Sequence, residues 1–253
     1  MLAIIGGSGL TQLGNLEITS RKVVRTPYGD PSGALTFGRI KEREVVFLAR
    51  HGYGHTIAPH EVNYRANIWA LHAQGAKDIV SVATVGGIHP DLTPGAIVIP
   101  DQIIDYTWGR KATFFECGSN CDVKPVVHMD FTWPYCDSLR QVCMQACQLA
   151  GEKYIDGGVY ASVQGPRLET AAEITRLERD GATMVGMTAM PEAALAKEIG
   201  LCYAALSVVA NQAAGRGSSA SAIPYDEVSI VLDKAMQRVR TVLEHLVEIH
   251  GAP

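Results

Sequence analysis

Strand-like apolar runs and helix-period stretches alternate along almost the whole chain, and this alternation most constrains what it can fold into. Runs at 2–7 (LAIIGG), 44–50 (EVVFLAR), 78–87, 96–105, 158–165, 183–188 and 202–211 (CYAALSVVAN) have the length and β-branched content of buried strands. Between them, residues 63–76, 137–152, 167–182 and 190–201 carry apolar residues at helical spacing, and several of these stretches close on a glycine. A longer amphipathic helix is expected over 225–249. The pattern predicts an α/β fold with a mostly parallel sheet covered by helices. No linker, repeat or low-complexity tract interrupts it, so residues 1–253 read as a single domain.

Bulk properties exclude several partners. A net charge of −4 supplies no basic field for nucleic acid. No apolar run reaches the roughly 20 residues of a membrane span. The opening MLAIIGGSGL has no basic segment ahead of its apolar run, so it reads as a first strand rather than a signal peptide, and a cytoplasmic protein is expected. The six cysteines include two pairs spaced four apart, Cys117 with Cys121 and Cys143 with Cys147, while Cys136 and Cys202 stand alone. That spacing is compatible with zinc. However, Cys143 and Cys147 fall in an amphipathic helical stretch where small apolar residues belong, so reduced structural thiols are expected, with no metal.

In open α/β sheets, ligands collect beyond the carboxyl ends of the strands, and several exits here are glycine-rich or polar. IIGGSGL brings backbone N–H groups and the Ser8 hydroxyl together, which suits an anion and equally a plain tight turn. LARHGYGH ends a strand on Arg50 and His51, a planar donor fork beside a second donor, with His55 four residues on. ATVGG sets Ala83 and Thr84 before Gly86 and Gly87, where backbone can approach a ligand. In VGMTAMPEAALA, Met187 and Thr188 leave a strand, and Pro191 and Glu192 open a helix that Thr188 could simply cap. SVQGPRLET offers Gln164, Arg167 and Glu169, the last two able to pair on the surface. Three exits suited to anions in one chain point to one shared phosphate site at Ser8, Arg50–His51 and Thr188.

Taken together, IIGGSGL, RHGYGHT, NYRANIWAL, ATVGGI, PGAIVIPDQIID, QGPRLET and GMTAMPEAALAKEIGLCYAAL resemble the purine nucleoside phosphorylase family, in its methylthioadenosine phosphorylase branch. The resemblance spans nearly the whole chain in order. It implies a single α/β domain whose central mixed sheet forms a distorted barrel surrounded by helices, assembled as a homotrimer with sites near subunit interfaces. It implies inorganic phosphate as co-substrate with no cofactor, held by Ser8, Arg50, His51 and Thr188 with the Ala83–Thr84 turn alongside. Met187 would lie under the ribose and Leu168 beside the nucleoside. His128 would be lent across an interface toward the neighbour's 5′ end.

The base site is implied at Asn211 and Ala213, where adenine-specific members carry Asp-x-Asp. Adenine presents a 6-amino donor, whereas a 6-oxopurine presents O6 as an acceptor. A carboxylate facing O6 would bury two acceptors against each other, at a cost of about 1–3 kcal/mol. An asparagine can donate to O6 and accept from protonated N7. The expectation is therefore phosphorolysis of a 6-oxopurine nucleoside. The branch resemblance adds an apolar 5′ pocket, with Val228 and Val231 as candidate walls, which points to S-methyl-5′-thioinosine. Inosine or guanosine phosphorolysis is the next reading, then methylthioadenosine. Two other classes compete. A dinucleotide oxidoreductase needs an acidic ribose reader about 20 residues after the first glycines, and ITSRKVVRTPYG has none. A non-catalytic nucleoside-binding module would not need the phosphate set.

Overall fold

The computed structural model describes residues 1–115, 128–223 and 225–251; Cys117 and Cys121 lie outside them. In order the chain runs β1 (Leu2–Gly6), β2 (Glu17–Lys22), β3 (Leu35–Ile40), β4 (Arg43–Ala49), α1 (Tyr64–Ala73), β5 (Asp78–Gly87), β6 (Ile97–Ile99) and β7 (Gln102–Asp105). It continues with α2 (Asp137–Leu149), β8 (Tyr154–Asp156), β9 (Val159–Ser162), α3 (Ala171–Arg179), β10 (Met184–Gly186), α4 (Ala189–Glu198), β11 (Cys202–Gln212) and α5 (Tyr225–Ile249).

Among the described residues, eleven strands join one sheet, and it is mixed rather than mostly parallel. β1 lies parallel between β4 and β5, and β11 runs parallel to β5 on its other side. The antiparallel pairs β2–β3 and β3–β4 form one edge, and β10 meets the end of β5 antiparallel. β2 and β3 escape the sequence pattern because β2 is an edge strand exposed at every residue, with no apolar face to see. The run at 96–105, expected as one strand, divides into β6 and β7 at Pro100, which has no N–H for a ladder.

These bends close the distorted barrel. β5 pairs with β11, β11 with β6, and β6 with β8. β8 runs through Gly157 and Gly158 into β9, which pairs with β10, and β10 returns to β5.

Both faces of the sheet are buried. Leu2 and Ile4 of β1 face a core shared with α2 and α5, whose Leu139, Met236, Val239 and Leu243 pack there. The alternate residues Ala3 and Ile5 face α1 and α4, through Ile68, Leu71 and Leu195. Such two-sided burial explains why these strands read as unbroken apolar runs. Cys143 and Cys147 are free thiols inside the first core, as expected, and burial pushes the Cys147 thiol up to about 12. Cys136 and Cys202 overturn the expectation of reduced thiols throughout, because they form a disulfide across 66 residues of sequence with Cα atoms 5.3 Å apart. Cys136 stands at the N-cap of α2, where its N–H donates to the Tyr203 carbonyl at 2.8 Å, and that bond sets it beside the first residue of β11. Residue spacing alone does not reveal such a tertiary meeting.

Candidate active site

The ends of β1, β4, β5, β10 and β11 open on one cavity of about 450 Å³. Ser8, Arg50, His51, Ala83, Thr84, Met187, Thr188, Leu168, Asn211 and Ala213 all line it, so nearly every residue singled out in the sequence converges there. The local structure explains the aim of each side chain. Along β5, residues 84 and 86 fall on the less buried alternation, which turns Thr84 toward the cavity. In β11 the ladder slips between Val209 and Asn211, two residues opposing one step of β5. A regular strand would put Asn211 on the face of Val209, which is fully buried in core. The bulge at Ala210 re-aims it, and Ala210 and Asn211 both reach the cavity. Thr188 is the N-cap of α4 but its side chain makes no capping bond, and its hydroxyl lies beside the Tyr160 hydroxyl at the cavity wall. Met187 packs over Gly165, at a left-handed φ of 63° where a methyl group would run into its sulfur.

His128 is exposed and outside this cavity of its own chain. Val228 and Val231 do not line it either; Ile223, just before α5, does.

Arg50 differs from its sequence reading in one respect. Its planar fork does not stand open to an anion, because it grips Glu192: Nε donates to Oε2 at 2.7 Å and Nη2 to Oε1 at 2.9 Å. Nη2 also donates to Ser81 Oγ at 2.5 Å, and Nη1 to the Val82 carbonyl at 3.1 Å. Four of its five N–H groups are thereby committed. Glu192 Oε1 accepts further bonds from Ser81 Oγ at 2.9 Å and Tyr203 Oη at 2.8 Å. Both partners are fully buried. Burial alone would lower the Arg50 pKa, and the Glu192 charge outweighs it, so the guanidinium is held charged. The sequence showed Glu192 only as a helix opener, although an acid inside the apolar run PEAALA signals a buried partner.

His51 Nδ1–H donates to the Ile57 carbonyl at 2.8 Å, so in the neutral ring Nε2 is an acceptor. Burial first, then the Arg50 charge, pushes its pKa down to about 4. His55 lies edge-on at 4.9 Å between ring centroids, with Ser8 Oγ 3.4 Å from its Nε2. The sign of the linkage is fixed. The folded pKa lies below the unfolded value of about 6.5, so the folded chain refuses a proton that the unfolded chain accepts. Stability is expected to hold above pH 6.5 and to fall between pH 6.5 and about 4. Urea midpoints for the protein and His51→Gln test this, and an equally steep decline in the variant would remove His51 as its source.

At the other end, Asn211 Nδ2 donates to the Gln212 carbonyl at 2.7 Å, leaving its second N–H and Oδ1 for a ligand. Gln212 turns away, its Oε1 accepting from the Ser218 N–H at 2.8 Å. Arg167 and Glu169, which the sequence left able to pair on the surface, do not do so. Arg167 instead grips Glu173 with two bonds, at 2.7 and 2.8 Å, because Glu173 is drawn to the start of α3 by its capping box with Thr170. Glu169 is released to the cavity wall, where burial raises its pKa. Gln164, the other polar residue of that loop, is occupied by the Trp108 N–H and Arg110 Nε, both at 3.2 Å.

The model of the phosphorylase superfamily matches residues 1–248 of this sequence. The chain belongs to the phosphorylase superfamily. The phosphorylase is 51% identical over 241 residues to a Pseudomonas syringae protein described as probable S-methyl-5′-thioinosine phosphorylase, covering 95% of this chain and 96% of the relative. It is 43% identical over 239 residues to the 6-oxopurine nucleoside phosphorylase of Pyrococcus furiosus, covering 94% and 88%. Its fold matches the solved structure of methylthioadenosine phosphorylase from Schistosoma mansoni in complex with adenine, with a TM-score of 0.94 at 33% identity, over 100% of this chain and 92% of that one.

Proposed function

We propose that this phosphorylase cleaves a 6-oxopurine nucleoside with inorganic phosphate, and that its substrate is S-methyl-5′-thioinosine, giving hypoxanthine and 5-methylthioribose 1-phosphate. The observation that carries the reading is the pairing of Asn211 and Glu169 in one cavity. Hypoxanthine presents O6 as an acceptor and N1–H as a donor; adenine presents a 6-amino donor and a bare N1. Asn211 donates to O6 and accepts from protonated N7, while the Glu169 carboxylate accepts from N1–H. Adenine would meet a lone pair at N1 instead. The described Pseudomonas and Pyrococcus relatives carry names that agree with this base choice. Glu169→Gln is expected to lower turnover of the 6-oxopurine substrate by about tenfold or more; unchanged kcat/KM would take Glu169 out of base recognition.

Phosphate is held by the hydroxyls of Ser8, Thr84 and Thr188, by backbone at Ala83, and by the remaining N–H and charge of Arg50. His51 Nε2 accepts the hydrogen of hydrogen phosphate. As the C1′–N9 bond stretches, the sugar gains cationic character and the purine becomes electron-rich. Asn211 stabilises the departing purine through N7 and O6, an interaction strongest in the transition state. A phosphate oxygen attacks C1′ from the opposite face, and Met187 supports the ribose. Positioning and electrostatics carry the reaction without a covalent enzyme intermediate or a cofactor.

At the 5′ end, Ile57, Pro59 and Ile223 offer an apolar wall that suits a methylthio group better than a hydroxyl, which would lose about 1–3 kcal/mol if buried unpaired. The reading includes a cytoplasmic homotrimer in which His128, exposed and away from its own cavity, serves a neighbour's 5′ end. The test is a product assay with methylthioinosine, inosine and methylthioadenosine in parallel, with and without phosphate. Preference for methylthioinosine supports both halves of the proposal. Preference for inosine overturns the 5′ assignment alone, and preference for methylthioadenosine overturns the base assignment.

A further inference from the structure

The segment after β7 carries one side chain that no part of the reaction above uses. Arg110 spends all five of its N–H donors on the two chain segments that wall the nucleoside half of the cavity. Nη1 donates to the carbonyls of Met187 at 2.8 Å, on the exit of β10, and Met190 at 2.6 Å, at the start of α4, and lies 3.4 Å from Tyr64 Oη. Nη2 donates to the carbonyls of Gln164 at 2.9 Å and Val163 at 3.3 Å, on the exit of β9. Nε donates to Gln164 Oε1 at 3.2 Å, and the guanidinium lies over the Tyr64 ring, 5.5 Å from its centroid.

The position of this tie gives it a specific consequence. β9 and β10 pair in register up to Ser162 and Gly186, and a last backbone bond runs from the Val163 N–H to the Gly186 carbonyl at 2.8 Å. Beyond it the two chains diverge. One leads to Gly165 and Glu169, the other to Met187 and Thr188, and Met187 packs against Gly165 across the divide. Converging carbonyls repel one another, and a planar guanidinium spans both segments with parallel donors where a single ammonium would reach one. Of the residues assigned to phosphate, Thr188 alone lies on a gripped segment, between the Met187 and Met190 carbonyls, while the elements carrying Ser8, Arg50, His51 and Thr84 receive none of these bonds.

We infer that Arg110 is a positioning residue that sets the spacing between the base wall at Glu169 and the ribose floor at Met187, and so governs nucleoside binding more strongly than phosphate binding, which it reaches only through Thr188. The inference rests on the nucleoside assignment of this cavity made above. Displacement of bound groups by about 1 Å costs up to about a hundredfold in rate, so the effect should be large for one substrate and small for the other.

The test is steady-state kinetics of the protein and Arg110→Met with methylthioinosine and phosphate varied in turn, alongside thermal unfolding. The expected result is a nucleoside KM raised about tenfold or more, a several-fold smaller rise in phosphate KM transmitted through Thr188, and a single cooperative melt. A parallel rise in both KM values, or a fall in kcat alone, would overturn the inference. Methylguanidine added to Arg110→Ala should lower the nucleoside KM again, which a general loss of folding would not allow. If Arg110→Met fails to fold, Arg110→Lys carries the same comparison, with a smaller split expected and an absent split overturning it. Should the unsubstituted protein turn over no nucleoside, the functional reading falls first; hypoxanthine titration by calorimetry then decides the inference, equal affinity in protein and variant being the adverse outcome.

Discussion

Asn211→Asp is expected to reduce kcat/KM for methylthioinosine by about a hundredfold, with a smaller loss or a gain for methylthioadenosine. The substitution keeps size and shape but exchanges both amide N–H donors, the one on the Gln212 carbonyl and the one proposed to face O6, for a charged acceptor. Its carboxylate meets O6 acceptor to acceptor in a cavity wall, while it can still take the N7 proton and can now accept from a 6-amino group. A site built to hydrogen-bond a substrate rejects the mismatched one strongly, because its own buried polar group is left unpaired. Parallel kinetics on the two nucleosides give the ratio. If that ratio is unmoved, Asn211 does not read the base. Because Glu169 still favours N1–H, a full exchange of preference is not expected from this change alone.

Glu192→Ala should produce the largest loss of stability of any single change in the site. It strands the Arg50 cation at a fully buried position and removes the acceptor used by Ser81 and Tyr203 as well. Breaking one half of a buried ion pair costs about 3–5 kcal/mol, which for a chain of this size lowers Tm by about 10 °C or more. Calorimetric or fluorescence melts measure it. The double variant Arg50→Met with Glu192→Leu is the informative partner, since replacing both charges by apolar groups can restore much of the stability. It should remain unable to use phosphate. A single variant that melts with the unsubstituted protein would mean that the pair is not the anchor it looks to be.

The residues proposed to hold phosphate were the most legible in the sequence, because they sit at strand exits that local pattern can find. Ser8, Arg50–His51 and Thr188 each follow an apolar run within two residues of its end, and the sheet topology then gathers them. What sequence reasoning missed depends on tertiary pairing. Glu192 was visible as a helix residue, but not as the partner that occupies the Arg50 fork from 142 positions away. Glu169 looked like a surface acid until Glu173 claimed Arg167. Arg110 gave no local signal at all, since its partners are backbone carbonyls rather than charged side chains. In the fold, runs buried on both faces were evident, whereas exposed β2 and the break at Pro100 were not. The disulfide of Cys136 and Cys202 belongs to the same class, set by a strand laid beside a helix start.

The bulge at Ala210 makes the aim of Asn211, the proposed base reader, a matter of parity. Side chains along a strand alternate, so what a position contributes depends on whether the count of residues before it is odd or even. In β11 the bulge absorbs Ala210 without advancing the ladder, so Asn211 takes the step after Val209 and faces the cavity, whereas the same sequence in a regular strand would turn it to the interior. Whether a single residue is absorbed in a bulge or paired in the ladder therefore decides what that strand end presents, with no exchange of side chains. Two relatives could carry the same asparagine in an alignment and present it to opposite sides of the sheet.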